Sequence, residues 1–176
     1  MDTQWIVTEV DGKVASVAAD YRHFAAIASV MASEAPEAVN GVRTYKISTE
    51  ELVSLKLGWE DLRLYGSKFQ TGVWKALFEM ERHLYSYSDI AAMVGNPLGV
   101  RAVAHAVAIN PVAFVIPCHL VVPKESLDRV HAIRETARTT TLFQGSDLYL
   151  LDSIDVGDFA YGDEIKRELI KISLSR

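Results

Sequence analysis

Apolar and polar residues in the first twenty positions form two β-prone runs on either side of Asp11-Gly12. That dipeptide is a strong signal for a two-residue hairpin turn. Helical and extended patterns then alternate up to residue 55, and no chemical motif interrupts them. The pattern predicts a small α/β domain over residues 1–65, with strands over 5–10, 13–18 and 43–47, a helix over 22–33, and an amphipathic segment over 49–55 that Ser48 or Thr49 caps.

From Phe69 onward the apolar residues recur at helical spacing. A short helix with a serine cap is predicted over residues 86–94, and Gly95-Asn96-Pro97 then turns the chain. Its proline suits the first turn of a further helix over residues 98–109, which ends before Asn110-Pro111. Two short helices joined by a glycine turn indicate a helix-turn-helix.

Helical patterns also follow this motif, over residues 125–140 and 164–172. We therefore predict a mainly helical C-terminal domain over residues 66–156. Residues 157–176 are predicted to be a helical extension with a packing role.

The second helix of the predicted motif carries unusually small side chains. Gly99, Ala102 and Ala104 leave it slim, and Arg101 is its one strong charge. Small side chains let two backbones approach closely, which suits tight packing in a core or insertion into a groove. Periodicity alone favours the core.

Charge is unevenly distributed along the 176 residues. The chain has 18 basic and 23 acidic side chains and a net charge of -5. Residues 66–140, however, carry 8 basic and 6 acidic groups, a net charge of +2. An acidic average argues weakly against nucleic acid as a partner, but an acidic chain can still present one positive face.

Cysteine content and hydropathy limit the compartment and the kind of site. With Cys118 as the one cysteine, an intramolecular disulfide is excluded and a structural zinc site is disfavoured. No apolar run reaches the ~20 residues of a membrane span, and the amino terminus does not resemble a secretory signal. We expect a cytoplasmic protein without membrane association.

Cys118 and His119 interrupt an apolar run that begins at Val112 and resumes at Leu120. Burying such a polar pair is costly unless its hydrogen bonds are satisfied. The pair is either a structural cysteine beside a histidine or a thiol activated by a neighbouring base. Spacing alone does not decide between these interpretations.

Six short motifs occur in a fixed order from Phe69 to Val122, about a third of the chain. They are Phe69-Gln70 with Val73-Trp74 and Leu77, Ser86-Tyr87 with Ile90-Ala91, Gly95-Asn96-Pro97, Arg101-Ala102-Val103, Asn110-Pro111, and Ile116-Pro117-Cys118-His119 with Val121-Val122. Their order and spacing resemble those of the O6-alkylguanine-DNA alkyltransferases, which are also called methylated-DNA–protein cysteine methyltransferases. Each motif is weak alone, but the ordered set is specific.

The resemblance implies an N-terminal α/β domain followed by a helical, winged-helix-like domain that binds double-stranded DNA containing O6-alkylguanine. In the family the helix-turn-helix enters the minor groove, and small residues on the recognition helix permit close approach. Arg101 matches the arginine that fills the gap left by an extruded nucleotide. Tyr87 matches the tyrosine that crowds the 3′ phosphate and helps to rotate the base outward. The residues implied to form the slim face are Gly99, Val100, Ala102 and Ala104.

The resemblance also implies the chemistry. Cys118 would be the nucleophile and alkyl acceptor, His119 the base that acts on the thiol through water, and Asn110 the residue that holds the turn. No cofactor or metal is implied, since the protein is itself the acceptor and each molecule reacts once. We expect a monomer.

The chain departs from the family after the histidine. Leu120 stands where the family has arginine, and residues 125–140 lack the family's glycine-rich loop. Ile154 stands where the family has the glutamate that orients the histidine. Asp152 or Asp155 could substitute for that glutamate, or the histidine has no carboxylate partner.

Three functional hypotheses follow. The first is a single-turnover DNA repair transferase, which the presence of Cys118 favours. The second is a non-catalytic protein that binds alkylated DNA, which the departures favour. The third is an unrelated cysteine hydrolase, which would turn over a small ester or amide.

Overall fold

The computed structural model describes residues 3–34, 41–139 and 147–176. None of the helices in these ranges is both long and apolar enough to cross a membrane. The strands and helices are β1 Gln4–Val10, β2 Lys13–Ala18, α1 Tyr21–Glu34, β3 Val42–Ser48, α2 Thr49–Ser54, α3 Lys68–Glu79, β4 Tyr85–Ser86, α4 Tyr87–Met93, α5 Val100–Ala108, β5 Val121–Val122, α6 Lys124–Thr139 and α7 Asp163–Leu174, with 3-10 helices at Trp59–Asp61, Cys118–Leu120 and Asp147–Ser153.

The chain divides into two compact units, and each unit contains two stretches of sequence. The first unit comprises Met1–Glu79 and His105–Cys118, and the second comprises Met80–Ala104 and His119–Arg176. The predicted limits at residues 65 and 156 do not coincide with these changes of unit. The division into three segments stays a prediction.

A three-stranded antiparallel sheet in the order β2-β1-β3 lies in the first unit. Asp11 and Gly12 close the β1–β2 hairpin with φ values of 50° and 76°, the left-handed conformations that a tight hairpin turn needs. Trp5 and Val7 of β1 are fully buried. The predicted hairpin, the helix that follows it and the third strand are confirmed, and Ser48 caps α2 through the amide of Glu51.

The segment after α5 is fastened to this sheet. The Val17 amide of β2 donates to the Pro111 carbonyl at 2.8 Å, and the Ala113 amide donates to the Val17 carbonyl at 3.1 Å. Within the same unit, the indole of Trp74 on α3 donates to the Ala106 carbonyl at 2.8 Å. A strand and a helix therefore fix the backbone that leads to Cys118.

The second unit has an apolar core of its own. Strands β4 and β5 pair in parallel there, Tyr85 opposite Val121 and Ser86 opposite Val122. The buried core residues are Leu84, Leu120, Val122, Leu127, Val130, Leu150, Leu151, Ile154, Val156 and Ile170. This core includes residues that precede and follow His119 in the sequence, and it includes Ile170 of α7.

The predicted helix-turn-helix is formed by α4 and α5. Ser86 caps α4 in a capping box with Asp89, as its sequence indicates. The prediction that the second helix begins at residue 98 is wrong by two residues. The Gly99 amide donates to the Asn96 carbonyl at 2.9 Å, so residues 96–99 form a turn with Pro97 at its second position. Helix α5 therefore begins at Val100.

Candidate active site

Asn110 organises the loop that ends at Cys118. It is 7% exposed, and its Nδ2 donates to the Ile116 carbonyl at 2.8 Å and to Sγ of Cys118 at 3.0 Å. Its Oδ1 accepts from the Val112 amide at 3.1 Å. One side chain thus ties the beginning of the loop to its end. This geometry agrees with the predicted role of Asn110 in holding the turn.

Phe114 lies in the tight part of the same loop with φ of +69°. The Ile116 amide donates to the Val112 carbonyl at 3.0 Å, which closes the turn around Phe114. A bulky residue in the left-handed region costs about 1–3 kcal/mol. Nothing in the amino-acid pattern signals this conformation, because neither glycine nor asparagine marks the position.

Cys118 is a free, buried cysteine, 6% exposed. It begins a 3-10 helix, Cys118–Leu120, and His119 follows it there. The hydrogen bond from Asn110 points an N–H donor at the sulfur. Donation to sulfur favours the thiolate over the thiol, because the donor's positive end faces the developing charge.

His119 is fully buried, and its Nε2 lies 2.7 Å from Oγ of Ser173 on α7. Burial lowers the pKa of His119 to about 3, and the positive charges of Lys166 and Arg82 act in the same direction. The imidazole is therefore neutral at physiological pH.

Neither carboxylate suggested by the sequence forms the hydrogen bond found at Nε2 of His119. Oδ1 of Asp152 accepts from Nζ of Lys171 at 2.9 Å, and Oδ1 of Asp155 accepts from the Gly157 amide at 2.7 Å. The hydroxyl of Ser173 occupies this position instead. Ser173 belongs to the segment for which the sequence predicts only a packing role.

A sequence signal for Ser173 exists, but it is weak. The buried residues of α7 recur at spacings of three and four, which marks one helical face. They are Lys166, Leu169, Ile170 and Ser173. A serine and a lysine on the buried face of a helix need polar partners, and this requirement could have directed attention to α7.

The candidate DNA-binding residues lie on and before α5. Arg101 and Ala102 are exposed, and four others are partly buried: Tyr87, Gly99, Val100 and Ala104. His105 and Ala108 extend the exposed face, whereas Val103, Ala106 and Val107 are buried. Tight packing in a core therefore applies to the buried face of this helix, and insertion into a groove applies to its exposed face. Gly99 also makes room for Asn96, whose side chain would meet a Cβ at residue 99.

Residues 68–139 match the family model for the DNA-binding domain of 6-O-methylguanine DNA methyltransferase. This match covers about two fifths of the chain, and over these residues the chain is similar to the O6-alkylguanine-DNA alkyltransferases. It is 49% identical over 67 residues to a probable methylated-DNA–protein-cysteine methyltransferase of Acanthamoeba polyphaga mimivirus, covering 38% of this chain and 45% of that relative. It is 34% identical over 91 residues to the Saccharomyces cerevisiae methylated-DNA–protein-cysteine methyltransferase, covering 51% of this chain and 48% of the relative.

The chain spans less than half the length of these two curated alkyltransferase relatives. Its fold resembles that of the O6-methylguanine-DNA methyltransferase of Pyrococcus kodakaraensis, with a TM-score of 0.58 and 22% identity over 97% of this chain and 91% of that one. That likeness agrees with the predicted fold, an α/β N-terminal part followed by a helical part with a helix-turn-helix. The roles of the individual site residues stay predictions.

Proposed function

We propose that the protein repairs alkylated DNA by transferring the alkyl group from O6 of guanine to Sγ of Cys118. The single observation that carries this proposal is the hydrogen bond that the side chain of Asn110 donates to the sulfur of Cys118. A free thiol accepts a hydrogen bond from Asn110 at 3.0 Å, within the residue order that the family shares. A donor aimed at the sulfur favours the thiolate, which is the nucleophilic form of a cysteine.

The exposed face of α5 supports DNA as the partner. Small side chains at Ala102 and Ala108 leave room for a groove wall, and Arg101 supplies a positive charge on the same face. In this proposal Arg101 enters the duplex and fills the gap left by the extruded nucleotide, while Tyr87 crowds the adjacent phosphate. Extrusion costs a few kcal/mol, which these contacts and the alkyl pocket offset.

The chemical step needs no second substrate beyond the DNA. The Cys118 thiol gives its proton through water to His119, and the thiolate attacks the alkyl carbon attached to O6. The S–C bond forms as the C–O6 bond breaks, and the electron pair stays on guanine. Guanine takes up the proton, so the products are unmodified guanine and S-alkylcysteine, which ends the protein's activity.

The mass of the intact protein tests this proposal. After incubation with excess duplex containing one O6-methylguanine, we expect the mass to rise by one methyl group on Cys118. Cys118→Ser keeps a polar side chain of similar size and should show no gain. Unmodified duplex of the same sequence is the DNA control. An unchanged wild-type mass at full lesion occupancy would refute transfer.

The role of Arg101 has its own test. Arg101 is exposed, so Arg101→Ala should change the free energy of unfolding by no more than about 0.5 kcal/mol. We expect single-turnover methyl transfer to slow by at least about tenfold, because the extruded state loses its filling side chain. Arg129→Ala, which removes an exposed arginine of α6, is the matched control. Equal rates for both variants would exclude the filling role.

The environment of His119 favours a second candidate, a protein that binds alkylated guanine without removing the alkyl group. A fully buried imidazole with its pKa lowered to about 3 is a weak base, and the charges near it are positive. Lesion-selective binding with no change in mass would support this candidate. Catalytic release of product from a small ester, without DNA, would favour a hydrolase instead.

A further inference from the structure

A buried hydrogen bond joins the residue after the nucleophile to the far end of the chain. Nε2 of His119 lies 2.7 Å from Oγ of Ser173, and the two residues are 54 positions apart. The exposed fraction is 0% for His119 and 2% for Ser173. A polar pair buried to this degree is costly unless each member satisfies the other, so the contact is specific.

Helix α7 holds Ser173 in a fixed position. The Nζ of Lys166, itself 1% exposed, donates to the Val156 carbonyl. The guanidinium of Arg167 donates to the carbonyls of Leu151 and Ile154. These bonds fasten one side of the helix to residues 151–156, and Ile170 packs in the same apolar core as Leu151, Ile154 and Val156.

We propose that Ser173 is the positioning residue for His119, and that its hydroxyl accepts the hydrogen on Nε2 so that Nδ1 can take the proton of the Cys118 thiol through water. This inference rests on the proposed function. A hydroxyl can donate or accept, and a neutral imidazole carries hydrogen on one nitrogen. A base role at Nδ1 requires the tautomer with hydrogen on Nε2.

A serine suits this position because of the surrounding charge. Lys166 and Arg82 are the charged groups that act on the imidazole, and both are positive. A carboxylate at residue 173 would attract a proton to the ring and hold it there, whereas a hydroxyl orients the ring and leaves it neutral. The pair therefore fixes the tautomer without making an ion pair.

The test compares the wild type with Ser173→Ala and Ser173→Thr in the full chain. Ser173→Thr keeps the hydroxyl. The matched control is Ser16→Ala, since Ser16 is 1% exposed and its hydroxyl has no hydrogen-bond partner among the described residues. Nitrogen-15 NMR of the ring gives the tautomer of His119, and single-turnover transfer from an O6-methylguanine duplex gives the rate at each pH.

For Ser173→Ala we expect a mixture of tautomers and an approximately tenfold lower transfer rate at pH 7, a fraction of what a general base contributes. Binding of the lesion duplex should stay within about twofold. The rates should converge near pH 9.5, about one unit above the pKa of a free thiol, because the thiol then ionises without a base. Ser173→Thr should restore the tautomer and the rate, and Ser16→Ala should leave both unchanged.

Two results would overturn the proposal while the wild type still transfers the methyl group. One is an unchanged rate in Ser173→Ala, and the other is a loss that is equally large at pH 7 and pH 9.5. If the wild type transfers nothing, the proposed function fails instead. The rate of Cys118 alkylation by iodoacetamide then replaces transfer, and its pH dependence tests the role of Ser173 separately.

Discussion

The loop that carries Cys118 and the segment that supports His119 differ in how far along the chain their contacts reach. Asn110 lies eight residues before Cys118, and it closes the cysteine loop, residues 110–118. Ser173 lies 54 residues after His119, in the histidine support, residues 151–174. Cys118 and His119 are consecutive, but different parts of the sequence hold their side chains in position. A local motif can specify the first arrangement, but only the tertiary fold creates the second.

The two regions also favour different charge states, negative for the sulfur of Cys118 and neutral for the ring of His119. An amide N–H points at the sulfur of Cys118, which stabilises a negative charge. Burial and two positive charges keep His119 neutral. In the proposed transfer reaction, Asn110 would stabilise the thiolate, while the imidazole would hold the proton in transit.

Asn110→Ala should have the largest effect, because it removes three hydrogen bonds from the buried cysteine loop. The amide of Val112 would lose its partner, and the carbonyl of Ile116 would keep its hydrogen bond from the Cys118 amide but lose the one from Asn110. We expect the free energy of unfolding to fall by about 3 kcal/mol, as buried unsatisfied groups cost about 1–3 kcal/mol each. Urea denaturation at pH 7 measures this change, and transfer should slow by more than about tenfold.

Asn110→Asp is the informative control for that prediction. It keeps an oxygen to accept from the Val112 amide but removes the donor that faces Ile116 and Cys118. We expect it to fold better than Asn110→Ala and to react no faster, since a negative charge would oppose the thiolate. Wild-type stability and rate in Asn110→Ala would show that the loop does not depend on this side chain.

The contrast between the two regions also explains what the sequence could predict. Asp11-Gly12 determines a hairpin locally, Ser86 and Asp89 determine the start of a helix, and the amino-acid pattern alone predicts both. The order of the sequence motifs identifies Asn110 and Cys118 as candidate site residues. Their predicted roles are consistent with the hydrogen bond between them.

The remaining features depend on distant parts of the chain. The sequence does not predict the role of Ser173, because a serine on an apolar helix face gives no indication of its partner. The pattern predicts the start of α5 two residues too early, because Pro97 fits a helix start and a β-turn equally well. The sequence does not predict the left-handed conformation of Phe114, because the surrounding turn, and not the residue type, determines its φ.

Acid should destabilise the histidine support through His119. Its folded-state pKa of about 3 lies below the ordinary value of 6.5, so the unfolded chain binds more protons between these pH values. Stability is therefore complete above pH 6.5 and is lost as the pH falls toward 3. Between pH 7 and pH 5 we expect this group alone to lower the free energy of unfolding by about 2 kcal/mol.

His119→Gln provides the comparison, because glutamine fills a similar space and does not titrate. Chemical denaturation of both proteins at pH 7, 6 and 5 gives the slope of the free energy of unfolding against pH. Between pH 7 and pH 5 that free energy should fall by about 2 kcal/mol less in His119→Gln than in the wild type. The difference between the slopes excludes the carboxylates that titrate in both proteins. Parallel slopes would mean that His119 is not held neutral by the fold.

The smallest effect is expected for Asp152→Asn, which distinguishes Ser173 from the carboxylate that the sequence suggested. Asp152 pairs with Lys171 at 2.9 Å, and its side chain is 62% exposed. Exposed ion pairs contribute about 0–1 kcal/mol, so the free energy of unfolding should change by less than about 0.5 kcal/mol. The transfer rate at pH 7 should equal that of the wild type, because Nε2 of His119 is hydrogen-bonded to Ser173 and Asp152 is paired with Lys171. A tenfold slower Asp152→Asn, with Ser173→Ala unaffected, would assign the orienting role to the carboxylate, as the family pattern implies.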